Sequence, residues 1–376
     1  MTRVIGIDPG TVSLDVCGRR DAALFLDESL STAAVSEDPG ILVDVLLAAG
    51  PLDLVVGPSG YGLPWTDVRD VGPQELDLLL LGDAADGPRG TIVGGMRRLV
   101  DALGKSGLRV CFAPSVTHLP TVPAHRKVNR IDMGTADKLC AVALGVWDQA
   151  RRLGVPYEAT SFVFVEIGGA FTAIISVEGG AVVDGAGGTS GAPGLRALGA
   201  MDGELAYLLR GFPKDVLASG GAAWVGGDPT CTAEDLVAAA AGGGRAAVGL
   251  DALLEGVEKQ VAAQLTVLDA PREILLSGRA SRVPAIHRRL EERLSRFAPV
   301  SPVGGFAAVA SEAAQGAALL GQGLAGDDEL QGLVDALQVR SASGSVLDHL
   351  YVSETESLRR RHPSAGRAPT PFWERS

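Results

Sequence analysis

The chain has 376 residues, close to half of them apolar, and a formal net charge of −12. This length exceeds one ordinary core, and the apolar content suffices for two domains of common size. The negative charge weighs against nucleic acid and anionic membranes as partners, and the scarcity of aromatic residues argues against a stacking platform for bases. These properties leave room for a local basic cleft, which a nucleotide site needs.

The four cysteines, Cys17, Cys111, Cys140 and Cys231, lie far apart and form no metal-spacing pattern. The first three lie in apolar periodic segments and are expected to be buried thiols. No basic segment precedes an apolar stretch at the N-terminus, and no apolar run approaches about 18 residues, so neither a signal peptide nor a membrane span is predicted. We therefore expect a cytoplasmic protein.

In the first half of the chain, predicted strands alternate with predicted helices. The strands cover residues 4–7, 13–18, 22–27, 52–57 and 108–113, and the helices cover residues 40–49, 97–104 and 135–153. Three adjacent strands followed by a helix and another strand are typical of a mixed sheet with helices on its faces. Gly154 follows the last of these helices and is a typical helix stop.

The most specific feature is a glycine-rich turn that occurs twice, once in each half. The first turn is Asp8-Pro9-Gly10-Thr11, and the second is Glu166-Ile167-Gly168-Gly169-Ala170-Phe171-Thr172. Each follows an apolar strand and leads into another strand. A carboxylate at a strand end can hold hydrated magnesium, and glycines let backbone N–H groups close on phosphate oxygens. Two such hairpins facing each other across a cleft would bind a nucleoside triphosphate.

Each turn also has a simpler interpretation as an ordinary β-hairpin, because Gly and Asp favour tight turns whatever the function. Neither turn is a P-loop or a dinucleotide fingerprint. The chain has no G-x-x-x-x-G-K-[ST], and both turns open a strand, whereas those fingerprints open a helix.

Phosphoryl transfer needs backbone donors, a magnesium carboxylate, a cation and a carboxylate near the acceptor. Asp8 and Glu166 are the predicted magnesium ligands, although Asp8 could merely cap its turn. The predicted phosphate contacts are Gly10, Thr11, Gly168, Gly169 and Thr172.

The second half repeats the order of elements of the first. Predicted strands cover residues 162–165, 172–177, 181–184 and 273–276, followed by helices over 283–297 and 309–324. The strand at 273–276 breaks at Gly278 before a helix, which makes a shelf for a flat ring, so adenine is expected near Gly278 and Arg279. The last helix carries an alanine stripe and several glycines that allow close approach. A plain core helix and an interdomain hinge helix are both open interpretations of it.

The densest polar cluster is the run His125-Arg126-Lys127-Val128-Asn129-Arg130-Ile131-Asp132, just before a long helix. Helix N-termini favour anions. One interpretation makes Arg126, Lys127 or Arg130 the cation that meets the substrate carboxylate or the transferring phosphoryl group. Asp132 or Asp137 would then orient or deprotonate the acceptor. The alternative is a solvated basic loop with Asp132 as a helix cap.

Three further segments are weaker candidates. Ser59, Tyr61 and Trp65 follow a strand end, the usual place for ligand contacts in an open α/β sheet. Residues 187–191 form a hydroxyl-rich loop that could close over substrate or be a simple turn. The histidines at 118 and 125 are too weak a pattern to predict zinc.

Taken in order, the two turns, a helix closing each half and the late strand-Gly-helix resemble the superfamily of acetate and sugar kinases, actin and heat-shock chaperone ATPases. The resemblance covers about residues 1–326. It implies an α/β fold of two ribonuclease-H-like domains, a duplicated mixed sheet with flanking helices, around an interdomain nucleotide cleft. The expected domains are residues 1–155 and 156–326, with residues 327–376 as a partly disordered appendage. Beyond about Ser341 this appendage is expected to be dispensable for nucleotide binding.

Within that superfamily the chain most resembles the DUF1464-like group of predicted butyrate-kinase-like proteins. The resemblance rests on Pro58-Ser59-Gly60-Tyr61-Gly62, on the run from Arg126 to Lys138 and on Gly187-Gly188-Thr189-Ser190-Gly191. Butyrate and acetate kinases lack an acid where Glu166 stands, so Glu166 departs from them and resembles the phosphatase-like and sugar-kinase branches.

Three functions remain open, because a fold alone does not choose among them. The first is an ATP-dependent kinase, with ATP and Mg2+ as cofactors, that acts on a small metabolite such as a short-chain carboxylate. The second is a phosphoanhydride hydrolase or ATPase, and the third is a non-catalytic nucleotide sensor. The cations beside Asp132 favour the kinase. The expected partner is a small-molecule substrate, not nucleic acid or membrane, and a homodimer is left open.

Overall fold

The computed structural model describes residues 2–58, 60–61, 63–81 and 91–361, which group into two compact units. Unit 1 comprises the described residues of 1–131, 135–158 and 304–361. Unit 2 comprises residues 132–134 and 159–303. Each unit is built on one mixed β-sheet.

Unit 1 holds six strands and most of the helices. Its strands are β1 (Arg3–Pro9), β2 (Ser13–Arg20), β3 (Ala23–Ser31), β4 (Leu54–Pro58), β5 (Thr66–Asp67) and β6 (Val110–Ala113). Its helices are α1 (Thr32–Glu37), α2 (Gly40–Ala48), α3 (Pro73–Leu80), α4 (Thr91–Lys105), α5 (Ala124–Lys127), α6 (Ala136–Leu153), α12 (Glu312–Leu324), α13 (Asp328–Ala336) and α14 (Thr355–Arg361). Gly154 ends α6 in the left-handed conformation, as the sequence predicts.

Unit 2 holds five strands and the remaining helices. Its strands are β7 (Ser161–Ile167), β8 (Thr172–Glu178), β9 (Ala181–Ala186), β10 (Glu273–Ser277) and β11 (Val300–Pro302). Its helices are α7 (Gly203–Leu209), α8 (Ala222–Gly226), α9 (Ala233–Ala240), α10 (Gly244–Gln264) and α11 (Pro284–Leu294).

Five strands have the same arrangement in both sheets, which confirms the predicted duplication. The strand order is β3-β2-β1-β4-β6-β5 in unit 1 and β11-β10-β7-β8-β9 in unit 2. In both, the first three strands of the unit form an antiparallel meander. Two later strands, β4 and β6 in unit 1 and β10 and β11 in unit 2, extend the sheet in parallel from the first strand. Unit 1 has a sixth strand, β5, which is antiparallel to β6. The register also shifts at the same pair, between β2 and β3 at Gly18/Arg19 and between β8 and β9 at Ser176/Val177.

Strand alternation places one face of each sheet on a hydrophobic core. In unit 1, Ile5, Ile7, Val55 and Phe112 pack in a core that includes buried residues of α2 to α4. In unit 2, alternate residues of β7, β8 and β10 pack with α8 to α11. Apolar burial of this extent is the main stabilising contribution to such layers.

The cysteines expected to be buried are buried and free, and so is Cys231. Burial raises the pKa of the Cys17 thiol to about 12, with smaller effects from the Asp27 and Arg19 charges. Burial also raises the pKa of Cys111 and of Cys140. These thiols are therefore protonated at neutral pH and unsuited to nucleophilic chemistry.

The C-terminal region differs from its expected place. Helix α12, assigned from sequence to the second domain, groups with unit 1, and so do the described residues that follow it. Beyond Ser341, Val346, Leu347 and Leu350 are at most 7% exposed and belong to the unit 1 core. Three apolar residues after a Ser-rich segment are too few to give a periodic signal. The described part of the tail therefore packs in the core of unit 1 and is not a separate appendage.

Replacing Val346 by serine should lower the free energy of unfolding by roughly 2 to 3 kcal/mol, because it leaves a cavity and an unpaired hydroxyl in a core position. Val352, which is 49% exposed, is the matched control, and Val352→Ser should change stability by less than about 0.5 kcal/mol. Urea unfolding of both variants is the measurement. Equal stability of the two variants would return the tail to the status of an appendage.

Among the described helices, none combines the length and apolar character that a membrane-spanning helix requires.

Candidate functional site

The first glycine turn lies at the carboxyl end of β1 in unit 1. Asp8 is half-buried, and its Oδ2 accepts a hydrogen bond from Ser311 Oγ at 2.7 Å. Ser311 is the N-cap of α12, where its Oγ also accepts from Ala314 N at 3.2 Å. The carboxylate of Asp8 is therefore held beside a helix N-terminus, whose dipole favours negative charge.

The turn itself is compact. Gly10 N donates to Asp8 O at 3.0 Å, and Thr32 Oγ1 donates to Gly10 O at 2.7 Å. A Cβ at Gly10 would lie 2.8 Å from Ser13 O, so the turn requires glycine there. Thr11, the other predicted phosphate contact of this turn, is exposed and open to a ligand.

The second glycine turn lies at the equivalent place in unit 2, between β7 and β8. Glu166 is half-buried and pairs in register with Ala173 on β8 and with Ser277 on β10. Gly168 N donates to Phe171 O at 2.9 Å and closes the turn. Gly168 and Gly169 are both partly exposed. The turn thus presents glycine backbone at the end of a strand that carries an acid.

Thr172 occupies a different position from the one its predicted role requires. It is fully buried, it pairs with Ile167 on the core face of the sheet, and its Oγ1 has no hydrogen-bond partner among the described residues. The side chain of Thr172 is therefore fully enclosed and not exposed to a ligand.

The strand-Gly-helix shelf lies against the same turn. Gly278 has φ of +84°, and a Cβ there would lie 2.5 Å from Ile167 O and 3.1 Å from Glu166 Cγ. Only glycine allows this approach between β10 and the end of β7. Arg279 follows and is exposed. Glu166 and the predicted adenine shelf are therefore neighbours within unit 2.

Asp132 is 4% exposed and anchors the hydroxyl-rich loop at residues 187–190. Its Oδ2 accepts from Thr189 N at 2.9 Å and from Thr189 Oγ1 at 2.8 Å, and its backbone oxygen accepts from Ser190 Oγ and from Gly187 N. The N-cap of α6 is Thr135, so Asp132 is not the cap of that helix. The loop, proposed from sequence as a cover for substrate, is fixed to Asp132.

This loop also packs on the second glycine turn. A Cβ at Gly188 would lie 2.6 Å from Phe171 Cδ1, and one at Gly194 would lie 2.1 Å from Ala170 O. Ala170 O accepts from Arg196 N at 3.1 Å and from Ala197 N at 3.0 Å. Unit 2 therefore brings together Asp132, its loop and the turn that begins at Glu166.

The three predicted cations differ in exposure. Lys127 is 6% exposed and its Nζ donates to Leu119 O at 2.7 Å, and burial lowers its pKa. Arg126 and Arg130 are half-buried. Burial of Lys127 and Asp132 excludes the interpretation of the whole cluster as a solvated loop. Asp137, the alternative base, forms an ion pair with Lys138 at 2.7 Å and accepts from Thr135 Oγ1 at 2.5 Å.

The basic loop is tied to the C-terminal segment of unit 1. Asn129, with φ of 56°, donates from its N to His349 O at 2.8 Å and accepts from Tyr351 N at its Oδ1 at 2.7 Å. Ser343 N donates to His118 O at 3.0 Å. The segment expected to be dispensable therefore helps to position the candidate cations.

His118 is buried beside this loop and is held neutral. Burial, then the Lys127 charge, lower the pKa of His118 to about 3. Its Nδ1 accepts from Ser115 N at 3.2 Å, so the proton is on Nε2, which has no partner among the described residues.

The folded-state pKa of His118 lies below the value of about 6.5 for an unfolded histidine, so the unfolded chain binds a proton first as pH falls. The free energy of unfolding should therefore decline from about pH 6.5 towards pH 3, and His118→Asn should reduce the loss between pH 7 and pH 5 by roughly 2 kcal/mol. Unfolding at both pH values measures it, with the exposed His125→Asn as control. If His118→Asn lost as much unfolding free energy between pH 7 and pH 5 as the wild type, the lowered pKa of His118 would be contradicted.

The predicted ligand contacts that follow β4 are not joined to the turns or to the basic loop by any contact described above. Trp65 is buried, and its Nε1 donates to Val339 O at 2.8 Å, which makes it a core residue rather than a ligand contact. Tyr61 is half-buried. Ser59 and Gly62 lie outside the described residues. No group of three or more His, Cys, Asp or Glu suited to a metal occurs among the described residues.

Local sequence patterns do not identify Ser311 as the partner of Asp8. A serine three residues before Ala314 and ahead of an alanine-rich helix is a recognisable N-cap signal. Its pairing with a carboxylate 303 residues away is not encoded in any local pattern. The support of the second turn by Gly188 and Gly194 is likewise visible only in the folded chain.

The fold is shared with short-chain acid kinases. A propionate kinase from Francisella tularensis subsp. tularensis SCHU S4 matches with a TM-score of 0.58 at 12% identity, covering 84% of this chain and 99% of that one. Porphyromonas gingivalis acetate kinase matches with a TM-score of 0.56 at 13% identity, covering 84% of this chain and 98% of that one. Entamoeba histolytica acetate kinase matches with a TM-score of 0.54 at 10% identity, covering 78% of this chain and 87% of that one. These likenesses confirm the two-domain α/β fold expected from the resemblance.

No curated protein matches the sequence. Residues 6–352 match the model of the family described as "Protein of unknown function (DUF1464)", and this chain belongs to that family.

Proposed function

We propose that this protein is an ATP-dependent phosphotransferase that uses Mg2+ and phosphorylates a small carboxylate. The observation that carries the proposal is the duplicated turn. In each unit a glycine-rich turn joins the first two strands of a sheet in which five strands have the same order. An acid, Asp8 or Glu166, is the next-to-last residue of the first strand.

The residues present fit magnesium and a nucleotide. Magnesium in phosphoryl-transfer enzymes is commonly bound by one or two carboxylates, with water and substrate phosphates completing the octahedron, so a cluster of three acids is not required. Asp8 is half-buried, and the hydrogen bond from Ser311 Oγ directs its carboxylate. The phosphates would be bound by the backbone N–H groups of Thr11 and Gly169, because those of Gly10 and Gly168 donate within their own turns. Adenine would be bound by Gly278 and Arg279.

The acceptor side would be formed around the basic loop. Arg126 and Arg130 would neutralise the transferring phosphoryl group or bind the substrate carboxylate, with Lys127 holding the loop from within. Asp132 supports the proposal because its bonds to Thr189 fix a loop that packs on Phe171. In this account Asp132 positions the site and is not itself the base.

A carboxylate acceptor is proposed because propionate and acetate kinases share the fold. In the reaction, a carboxylate oxygen would form a bond to the γ-phosphorus while the bond between that phosphorus and the β–γ bridging oxygen breaks. The products would be an acyl phosphate and ADP. A carboxylate is already a nucleophile at neutral pH, so no general base is required, in agreement with the enclosed position of Asp132.

A second candidate is hydrolysis of ATP or another phosphoanhydride. The observation in its favour is Glu166, a half-buried acid beside the second turn and the Gly278 shelf, where it could direct water. The third candidate function is a non-catalytic nucleotide sensor.

ADP release distinguishes these functions. The protein is incubated with ATP and Mg2+, with and without acetate, propionate or butyrate. We expect ADP to form only when one of the acids is present. ADP formation that no acid stimulates would favour the hydrolase, and binding of ATP without any ADP would favour the sensor.

A further inference from the structure

Unit 2 carries an arm, residues 198–219, whose two ends are joined. Ala197 and Gly220 form an isolated antiparallel bridge, and Gly221 N donates to Arg196 O at 2.8 Å. The arm contains α7 and the short helical turn Lys214–Ala218. The two ends of the arm are therefore fixed to unit 2, and residues 198–219 lie between these two fixed ends.

Helix α7 has no buried residue, although most of its side chains are apolar. Leu205 is 44% exposed, Tyr207 71%, Leu208 73% and Leu209 41%. Leucines at 205, 208 and 209 share one face, since residues three and four apart are neighbours on a helix. These three leucines form an exposed apolar face, and Tyr207 lies on the other side of the helix.

The charges at the two ends of α7 are opposite. Asp202 caps the N-terminus, where its Oδ1 accepts from Glu204 N at 2.9 Å, and Glu204 follows in the first turn. Arg210 is exposed at the C-terminus. Two copies of this helix packed antiparallel about a twofold axis would place each acidic end beside the basic end of the other. Self-complementarity of this kind is what an isologous dimer interface requires.

We propose that this arm is a dimerisation surface whose partner is the same arm of a second copy of the chain. Phe212, Val216 and Leu217 are also partly exposed on the same arm and add to its apolar surface, and a stable interface buries about 800 Å2 on each partner. The proposal goes beyond the phosphotransferase activity, because it uses none of the residues assigned to nucleotide or acceptor.

Sedimentation velocity over a range of concentrations, at about 0.15 M salt to limit long-range repulsion, tests the proposal. We expect the full chain to dimerise and Leu208→Glu to raise the dissociation constant by roughly tenfold or more. Leu47→Glu is the matched control, since Leu47 is a 50% exposed leucine on α2 of unit 1, and it should leave the dimer unchanged.

A charge exchange tests the geometry. Glu204→Arg and Arg210→Glu should each weaken the dimer, and the double variant should recover it, because each charge then meets an opposite one again. A wild-type chain that stays monomeric, or a Leu208→Glu variant that dimerises as well as wild type, would overturn the proposal. The arm would then cover another part of the chain or bind a different protein. Circular dichroism of each variant verifies that it is folded.

Discussion

Replacing Gly316 by alanine should lower the free energy of unfolding by about 3 kcal/mol or more. Gly316 lies on α12 where that helix crosses α6, and a Cβ there would lie 1.7 Å from Cys140 O and 2.6 Å from Cys140 C. Both Cys140 atoms belong to the backbone of α6, so the contact cannot be relieved by the rotation of a side chain. Gly6 shows the same close approach on β1, 2.1 Å from Ala314 O.

Gly104 provides the matched control. It also lies in a helix of unit 1, on α4, but the nearest atom to a Cβ there is Val68 Cγ2 at 3.9 Å. Gly104→Ala should stabilise the protein by roughly 0.5 to 1 kcal/mol, since alanine loses less backbone freedom on folding. Chemical denaturation of both variants measures the difference. A Gly316→Ala variant as stable as Gly104→Ala would show that α12 is not packed this closely.

Replacing Asp8 by asparagine should reduce phosphotransfer by roughly a hundredfold or more, if Asp8 holds magnesium, because the amide removes the charge that binds the ion. The Mg2+ concentration needed for half-maximal rate should rise as well. The hydrogen bond from Ser311 Oγ can be kept by the amide oxygen, so the fold should change little.

Asp53 is the control for Asp8. It is an exposed acid just before β4, and its Oδ2 accepts from Arg3 N at 2.7 Å, at the opposite end of β1 from Asp8. Asp53→Asn should leave the magnesium dependence unchanged. Turnover of Asp8→Asn equal to wild type, at any Mg2+ concentration, would remove Asp8 from the site.

Much of the fold could be predicted from local sequence signals. Alternation of apolar residues located the strands, glycine at 154 located the end of α6, and the repeated turn predicted two sheets of the same order. The alanine and glycine stripe of α12 predicted close helix packing, and the structure places that contact at α6 and β1 in unit 1.

The rest depends on contacts between distant residues. The sequence predicts a separate tail because Val346, Leu347 and Leu350 form no periodic apolar pattern. Their place in the unit 1 core is set by contacts with distant residues. Asp132 was expected to act on the acceptor, because sequence shows its charge but not its bonds to Thr189, 57 residues away. The sequence likewise shows the charge of Lys127 but not its surroundings, so it predicts an exposed or ligand-facing side chain. The burial of Lys127 follows from tertiary packing.

The most direct test of phosphoryl transfer to a carboxylate is to trap its product. Wild-type protein is incubated with ATP, Mg2+ and propionate in the presence of hydroxylamine, which converts an acyl phosphate to a hydroxamate. We expect hydroxamate and ADP to form in equal amounts, and Asp8→Asn to form little of either. The same trapping is repeated with acetate and with butyrate. Formation of ADP and inorganic phosphate without hydroxamate from all three acids would contradict carboxylate phosphorylation.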